Sequence, residues 1–230
     1  MDNRVKSFEL PLFSVDSVLF TVVEQQLKVL LVKRAVAPYE GLWSLPGGYV
    51  DIALDKDTDA TAKRKLEQKA GVVPAYLEQL KTYSGSERDP RGYSVTLVYY
   101  ALIGFQAASH HIASVEDAKW IDVAALNDLS MAFDHRHIVV DAHERLKQKA
   151  LYSMLPVYCL PERFTVGALK GVIEAIIGKE IQRKSLMRRI ENADMLEETD
   201  EYVATGRRRA KLYRVKSGVD ITHFERNLSA

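Results

Sequence analysis

The chain has 230 residues, is 47 % hydrophobic and 27 % charged, and sets 32 Lys and Arg against 31 Asp and Glu for a net charge of +1. These values suit a folded chain of one large domain or two small ones and exclude a protein that is basic throughout. The single cysteine, Cys159, excludes a disulfide framework and a cysteine-rich zinc module, and it suits a reducing compartment. No run of about 18 apolar residues is present, and the polar start Met1-Asp2-Asn3-Arg4 lacks the apolar stretch of a signal peptide, so a soluble cytoplasmic protein is expected.

In chain order, Val18 to Val23 and Leu27 to Val32 are β-branched apolar runs around the polar Glu24-Gln25-Gln26, a hairpin pattern. A helix is expected over Thr58 to Ala70, closed by Gly71. Tyr93 to Ile103 and Ala118 to Val123 read as further strands. Ile138, Ala142, Leu146 and Ala150 recur every four residues and make the apolar stripe of a second helix. Strands and helices interleaved in this way predict an α+β domain over residues 1–152.

Beyond that point the pattern changes. Ser153 to Arg163 is irregular, holds Pro156 and Pro161, and reads as a connection into a second domain over residues 153–230. Thr165 can cap a helix, with Phe164 stapled onto Leu169. Leu169, Val172, Ile173, Ile176 and Ile177 form its apolar face, and Gly178 ends it. A second helix follows from about Gln182 to Asp194, with Leu186, Ile190 and Ala193 facing inward, which is a helix-turn-helix layout. Met195 to Ala204 and Ala210 to Val215 complete a winged helix-turn-helix domain as a hairpin.

The near-zero total charge hides a local asymmetry. Arg183, Lys184, Arg188 and Arg189 fall between Gln182 and Arg189 without an acid, and Arg207, Arg208, Arg209, Lys211, Arg214 and Lys216 fall between Thr205 and Ser217 without one. At about 100° per residue, Lys184 and Arg188 project opposite Leu186 and Ile190. Such a helix fits a major groove, and an arginine-rich hairpin tip fits phosphates or a minor groove. Arg183, Lys184, Ser185, Arg188, Arg189, Arg207, Arg208, Arg209 and Lys211 are therefore the candidate DNA contacts. A solvated helix face, or a winged helix that contacts protein, is the competing reading.

Leu45-Pro46-Gly47-Gly48, followed by Arg64, Leu66, Gly71 and Val72 on the Thr58–Ala70 helix, resembles the Nudix family. Its signature is a Gly-led loop and then a helix carrying Arg-Glu-apolar-any-Glu-Glu-any-Gly-apolar. The loop after Gly48 is about two residues longer than that pattern. The three helix glutamates of the signature fall here on Lys65, Gln68 and Lys69, which changes the charge of one helix face from −3 to +2. In an active member that face holds hard divalent cations through carboxylates. A lysine about 4 Å from such a cation is repelled by roughly 8 kcal/mol at an effective dielectric near 20. Asp51, Asp55, Asp57 and Asp59 offer at most a weak ion site, and no metal or other cofactor is expected. The lysines suit a phosphate-bearing ligand, but simple solvent exposure is the plainer expectation.

Three further landmarks stand out. In Ser86-Glu87-Arg88-Asp89-Pro90-Arg91-Gly92, two arginines on a Pro-Gly turn can fork onto a diphosphate, or simply decorate a charged loop. His135, in Ala132-Phe133-Asp134-His135, suits a helix start, a base-edge contact or a structural role. His110-His111 has no companion ligands and suggests no metal.

With Leu160-Pro161-Glu162-Arg163-Phe164 and the domain order, these motifs make the chain from about Phe8 to Val215 similar to the NrtR family, the Nudix-related transcriptional regulators of NAD metabolism. The resemblance implies an N-terminal Nudix-like α/β/α sandwich joined to a C-terminal winged helix. It implies a homodimeric repressor of NAD biosynthesis or salvage genes, bound to a palindromic operator and released by ADP-ribose. Carried over by motif, the ligand candidates are Arg34, Trp43, Gly47, Gly48, Arg88, Arg91, Phe133 and His135. Lys65, Gln68 and Lys69 imply a sensor without a catalytic residue. The alternatives are an active ADP-ribose or nucleotide-sugar pyrophosphatase with a regulatory tail, and a nucleotide-gated protein adaptor.

Overall fold

The computed structural model describes residues 10–105, 115–205 and 208–224, apart from the side chains of Thr205 and Arg208. His110-His111 and the wing-tip Arg207 lie outside the described residues. Strands β1 (Leu12–Val23) and β2 (Gln26–Arg34) form the expected hairpin, with Val23 opposite Gln26. The turn residues Glu24 and Gln25 have φ of 51° and 61°, the left-handed pair that matches the twist of the flanking strands.

β1 is the buried axis of a seven-stranded mixed sheet. It runs parallel to β6 (Ser94–Leu102) from Leu12 to Phe20. Its first half also pairs with β4 (Gly47–Tyr49), and its second half with β2. The other side of β2 takes β7 (Val115–Asp122), its end takes β3 (Trp43–Ser44), and β5 (Tyr76–Gly85) edges the sheet on β6.

Alternation along β1 sends Leu19 to one face and Val18 and Phe20 to the other. Leu66 and Ala70 of helix α1 (Thr58–Ala70) pack with Leu19, Leu30 and Ala101 on the first face. The stripe of helix α2 (His135–Tyr152), namely Ile138, Ala142, Leu146 and Ala150, packs with Phe20, Leu31 and Tyr100 on the second. The expected α/β/α sandwich results.

Helix limits follow the capping residues. Asp57 accepts from the Ala60 N–H at 2.8 Å to start α1, and Gly71 ends it at φ 67°. Thr165 accepts from the Ala168 N–H at 3.0 Å to start α3 (Val166–Ile177), and Gly178 ends that helix at φ 73°. Helix α4 (Arg183–Ala193) follows, then the antiparallel β8 (Leu196–Thr205) and β9 (Arg208–Val215). Phe164 and Tyr213 exchange backbone hydrogen bonds of 3.0 and 2.7 Å, adding a one-residue bridge to the wing.

The connection between the modules is not a loose linker. Met154, Leu155, Val157 and Cys159 are at most 3 % exposed, within and beside a short 3-10 turn at Leu155–Cys159. A Cβ on Gly104 would lie 2.8 Å from the Leu160 carbonyl, so the segment rests directly on the end of β6. Val172 and Ile176 of α3 join the same apolar cluster as Phe20, Leu31 and Leu146. Burial also pushes the Cys159 thiol up to about 12, which leaves it protonated and unreactive at neutral pH.

This shared cluster makes a specific demand. Ile176→Ala removes buried methylenes and is expected to cost about 2–5 kcal/mol in urea unfolding. Both tryptophans lie on the sheet, in β3 and β7, so the fluorescence transition must shift with the far-UV transition. A fluorescence midpoint that stays put would show that α3 does not share the core of the sheet.

Candidate functional site

A cavity of about 280 Å³ opens where the first half of β1 meets β4, α1 and the start of α2. Gly47 floors it because β4 lies against β1: a Cβ there would sit 2.6 Å from the Val15 carbonyl and 2.8 Å from Asp16 Cα. Gly48 follows on the rim, where Lys65 of α1 runs along it.

One wall is aromatic and cationic. Phe133 adopts φ 54° just before α2, which turns its ring toward Tyr39 at 4.8 Å and His135 at 5.1 Å. The Arg34 guanidinium lies 5.1 Å from the Phe133 ring centroid, and its Nε donates to the Pro38 carbonyl at 2.7 Å. Burial, and then the charge of Arg91, pulls the Arg34 pKa below its usual value. A flat π face beside a fixed guanidinium suits a planar, electron-rich group.

His135 is the first residue of α2 and is buried. Its Nδ1 accepts from the Leu45 N–H at 2.9 Å, which assigns the proton to Nε2, 4.0 Å from Asp16 Oδ2. Burial holds His135 below the ordinary imidazole value, so it is neutral near pH 7. It fastens the Leu45-Pro46 turn to α2 and also faces the cavity.

The opposite wall carries the two loop arginines, each already forked onto a carboxylate. Arg88 donates from Nε and Nη2 to Asp134 at 2.7 and 2.8 Å, and from Nη1 to Ser94 at 3.0 Å. Arg91 donates to both oxygens of Asp89 at 2.9 and 2.6 Å and lies 5.7 Å from the Tyr49 ring centroid. Both guanidinium forks are therefore occupied by carboxylates, Asp134 and Asp89.

Seven of the eight ligand candidates, Arg34, Gly47, Gly48, Arg88, Arg91, Phe133 and His135, line this one cavity. Trp43 does not: its side chain packs on the main core with Lys119 Nζ 5.8 Å from its ring. Sequence reasoning missed Asp16, Tyr49 and Ser94, which line the cavity as well. The expected exposure of Lys65 and Lys69 is also corrected, since both are half-buried and line the cavity. Period-2 alternation along β1 turns Asp16 inward with Ser14, a signal present in the sequence once the strand is placed.

The acids before the α1 core have structural tasks. Asp55 is held by Arg64 at 2.6 Å, by Thr61 at 2.8 Å and by the Asp51 N–H at 2.9 Å. The Arg64 hydrogen bond holds its carboxyl well below the usual carboxylate range. Asp57 caps α1, and Asp59 pairs with Lys63 at 2.8 Å. No cluster of three metal-ligating side chains occurs among the described residues. With Lys65, Gln68 and Lys69 on the facing helix, a divalent cation does not fit the signature position.

At the other end of the molecule, Arg183, Lys184, Ser185 and Arg188 are exposed on α4, and Leu186, Ile190 and Ala193 bury its inner face. Arg189 departs from the expected DNA-facing set. It donates to the carbonyls of Ala150 and Leu151 at 2.8 and 2.6 Å, at the C-terminal end of α2. Lys211 likewise pairs with Glu198 across the wing, Arg214 with Glu197, and Lys216 with Asp194. The acids of residues 191–201 thus neutralise much of β9. Arg209 stays exposed near the wing tip, 5.3 Å from the Tyr202 ring centroid. Among the described residues no helix is long and apolar enough to cross a membrane.

Comparison with known proteins places this geometry. The NUDIX domain model matches residues 14–142, and the model of the NrtR DNA-binding winged helix domain matches residues 156–215. An ADP-ribose-responsive transcriptional repressor of Acinetobacter baylyi is 39 % identical over 204 residues, spanning 89 % of this chain and 82 % of the relative. The structure of Shewanella oneidensis NrtR complexed with a 27mer DNA superposes with a TM-score of 0.85 at 46 % identity, covering 94 % of this chain and 99 % of that one. The NUDIX domain of the same Shewanella protein complexed with ADP-ribose is 48 % identical, covering 63 % of this chain and 94 % of that one with a TM-score of 0.60. The chain belongs to the NrtR family, in which a Nudix domain is followed by a DNA-binding winged helix.

Proposed function

We propose that this protein is a transcriptional repressor of NAD biosynthesis or salvage genes, bound to a palindromic operator as a cytoplasmic homodimer and released by ADP-ribose. Residues 1–152 form the sensing domain and residues 153–230 the DNA-binding domain. Arg183, Lys184, Ser185 and Arg188 enter the major groove, and Arg207, Arg208 and Arg209 at the wing hold phosphates or the minor groove. Arg34 and Phe133 take the adenine or ribose side of the effector, Gly47 and Gly48 let its backbone-facing side approach, and Arg88 and Arg91 take the diphosphate. The domain binds this ligand without hydrolysing it.

One observation carries the reading. The helix whose first residues wall the cavity is the helix whose last carbonyls hold Arg189 of α4. A diphosphate competes with Asp134 for Arg88, and Asp134 stands immediately before α2. Ligand and operator therefore bias one rigid element from its two ends. The ligand shifts the equilibrium only by its different affinity for the DNA-competent and incompetent states. Operator DNA weakens ADP-ribose binding by the same factor.

The test is anisotropy of a labelled duplex from the region upstream of the gene, with and without ADP-ribose. Binding that is tight, steep in salt and reversed by ADP-ribose supports the repressor. Salt-insensitive or absent DNA binding removes it in favour of a protein-contacting winged helix, and Mg²⁺-dependent release of AMP at a normal turnover restores the pyrophosphatase.

Lys184→Ala and Arg188→Ala are each expected to weaken operator binding by about 1–3 kcal/mol while leaving ADP-ribose affinity unchanged by calorimetry. Equal loss of both in a folded variant would refute the division of labour. Arg88→Ala is expected to keep operator binding but to resist release by ADP-ribose. Derepression at the wild-type ligand concentration would remove Arg88 from the effector site.

A further inference from the structure

Two lysines of the cavity have no part in the reading above. Lys65 and Lys69 stand four residues apart, hence on one face of α1, and both line the cavity formed with β1 and β4. Lys65 lies over the backbone of Gly48, where a Cβ would come within 3.2 Å of its Cε and 3.4 Å of its Nζ. A side chain at position 48 would crowd the end of Lys65. Neither lysine has a carboxylate within 4 Å among the described residues. Asp16 on β1 is the acid whose charge acts most on Lys69, while Lys65 and Arg34 oppose it. Burial brings the Lys69 ammonium down to about 8, so it remains charged at neutral pH but at a cost to the fold. A pair of half-buried cations with no carboxylate in direct contact suits an anionic ligand.

These positions are those of the Nudix glutamates, where the carboxylates of an active member hold divalent cations. Gln68, between them, offers no compensation: its amide oxygen accepts from Arg64 Nη1 at 3.2 Å. We propose that Lys65 and Lys69 bind the diphosphate alongside Arg88 and Arg91 and stand in for the divalent metal, so that the effector is held with no metal present. The inference rests on reading the cavity as an ADP-ribose site. Two ammonium groups neutralise the two charges of a diphosphate, as a divalent cation does. They do not reproduce its chemistry, because an ammonium cannot bind water and lower its pKa to make a nucleophile at neutral pH. The same two substitutions that keep the ligand in place thus protect it from hydrolysis.

The experiment is calorimetric titration of the full-length protein with ADP-ribose, once in excess EDTA and once in millimolar MgCl₂, for wild type, Lys65→Gln and Lys69→Gln. The affinity of the wild type is expected to agree between the two buffers within about twofold. Each glutamine variant is expected to lose about tenfold or more, the scale of a charge-assisted contact. The midpoint of thermal unfolding of Lys69→Gln should equal or exceed that of wild type, because a buried charge has been removed, so lost binding will not reflect lost structure. Wild-type binding that requires Mg²⁺, or glutamine variants that bind like wild type, would overturn the lysine pair and leave the effector standing. Inorganic pyrophosphate separates the remaining cases. If ADP-ribose fails to bind but pyrophosphate binds and depends on Lys69, the effector is wrong and the lysine pair stands. If neither binds to the wild type, both fall.

Discussion

Ile138, Ala142, Leu146 and Ala150 are completely buried, and their burial fixes α2 between the sheet and α3. That one packed stripe constrains everything else. It sets Phe133, Asp134 and His135 at the cavity, because those residues lead into the helix. It sets the last carbonyls of α2 beneath α4, where Arg189 meets them. His143, midway, contacts the Ile176 carbonyl of α3 at 3.1 Å. Close-packed interiors do not deform continuously, so a helix held along its length moves as a unit or not at all.

The two loop arginines of the cavity sit in exchangeable pairs. Arg88 and Arg91 are already oriented by Asp134 and Asp89, so an incoming phosphate has to offer better acceptors, not to order two flexible side chains. The cost of orienting them is met in folding. This favours selectivity: a weak or singly charged acceptor gains little by displacing a bidentate carboxylate, whereas a diphosphate can engage several donors at once. Arg34 beside Phe133 and the neutral His135 complete the other wall, each held by its own contacts.

The elements with strong periodicity or capping residues were legible before any coordinates. Thr58–Ala70 has its end in Gly71, and Val166–Ile177 its limits in Thr165 and Gly178, because caps are local chemistry, whereas the Asp57 cap of the first helix emerged only from the structure. Strand β5 was not legible. Only Leu80 and Tyr83 of it are buried, as befits an edge with one polar face, and a register shift between Gln79 and Lys81 breaks its alternation. Strands β3 and β4 are two and three residues long and lie within a Gly-Pro segment that reads as loop. At the site, motif positions identified the cavity, but partners decided roles. Arg189 and Lys211 look in sequence like their neighbours, and only the fold brings the α2 carbonyls to one and Glu198 to the other. Trp43 fell one strand short of the cavity for the same reason.

The buried connection at Leu155–Cys159 bears on how such a protein reads a genome. A winged helix on a flexible tether can swivel to meet half-sites at several distances. Here the segment rests on Gly104, and α3 is built into the core of the sheet, so the recognition helix leaves the Nudix domain in one direction. Two copies joined through their Nudix domains would present their helices like the points of a fixed caliper. Adding half a turn of DNA between half-sites rotates one of them by about 180° to the far side of the duplex. The spacer between two half-sites, whose bases the protein need not touch, is then as much a part of the recognised message as the letters within them.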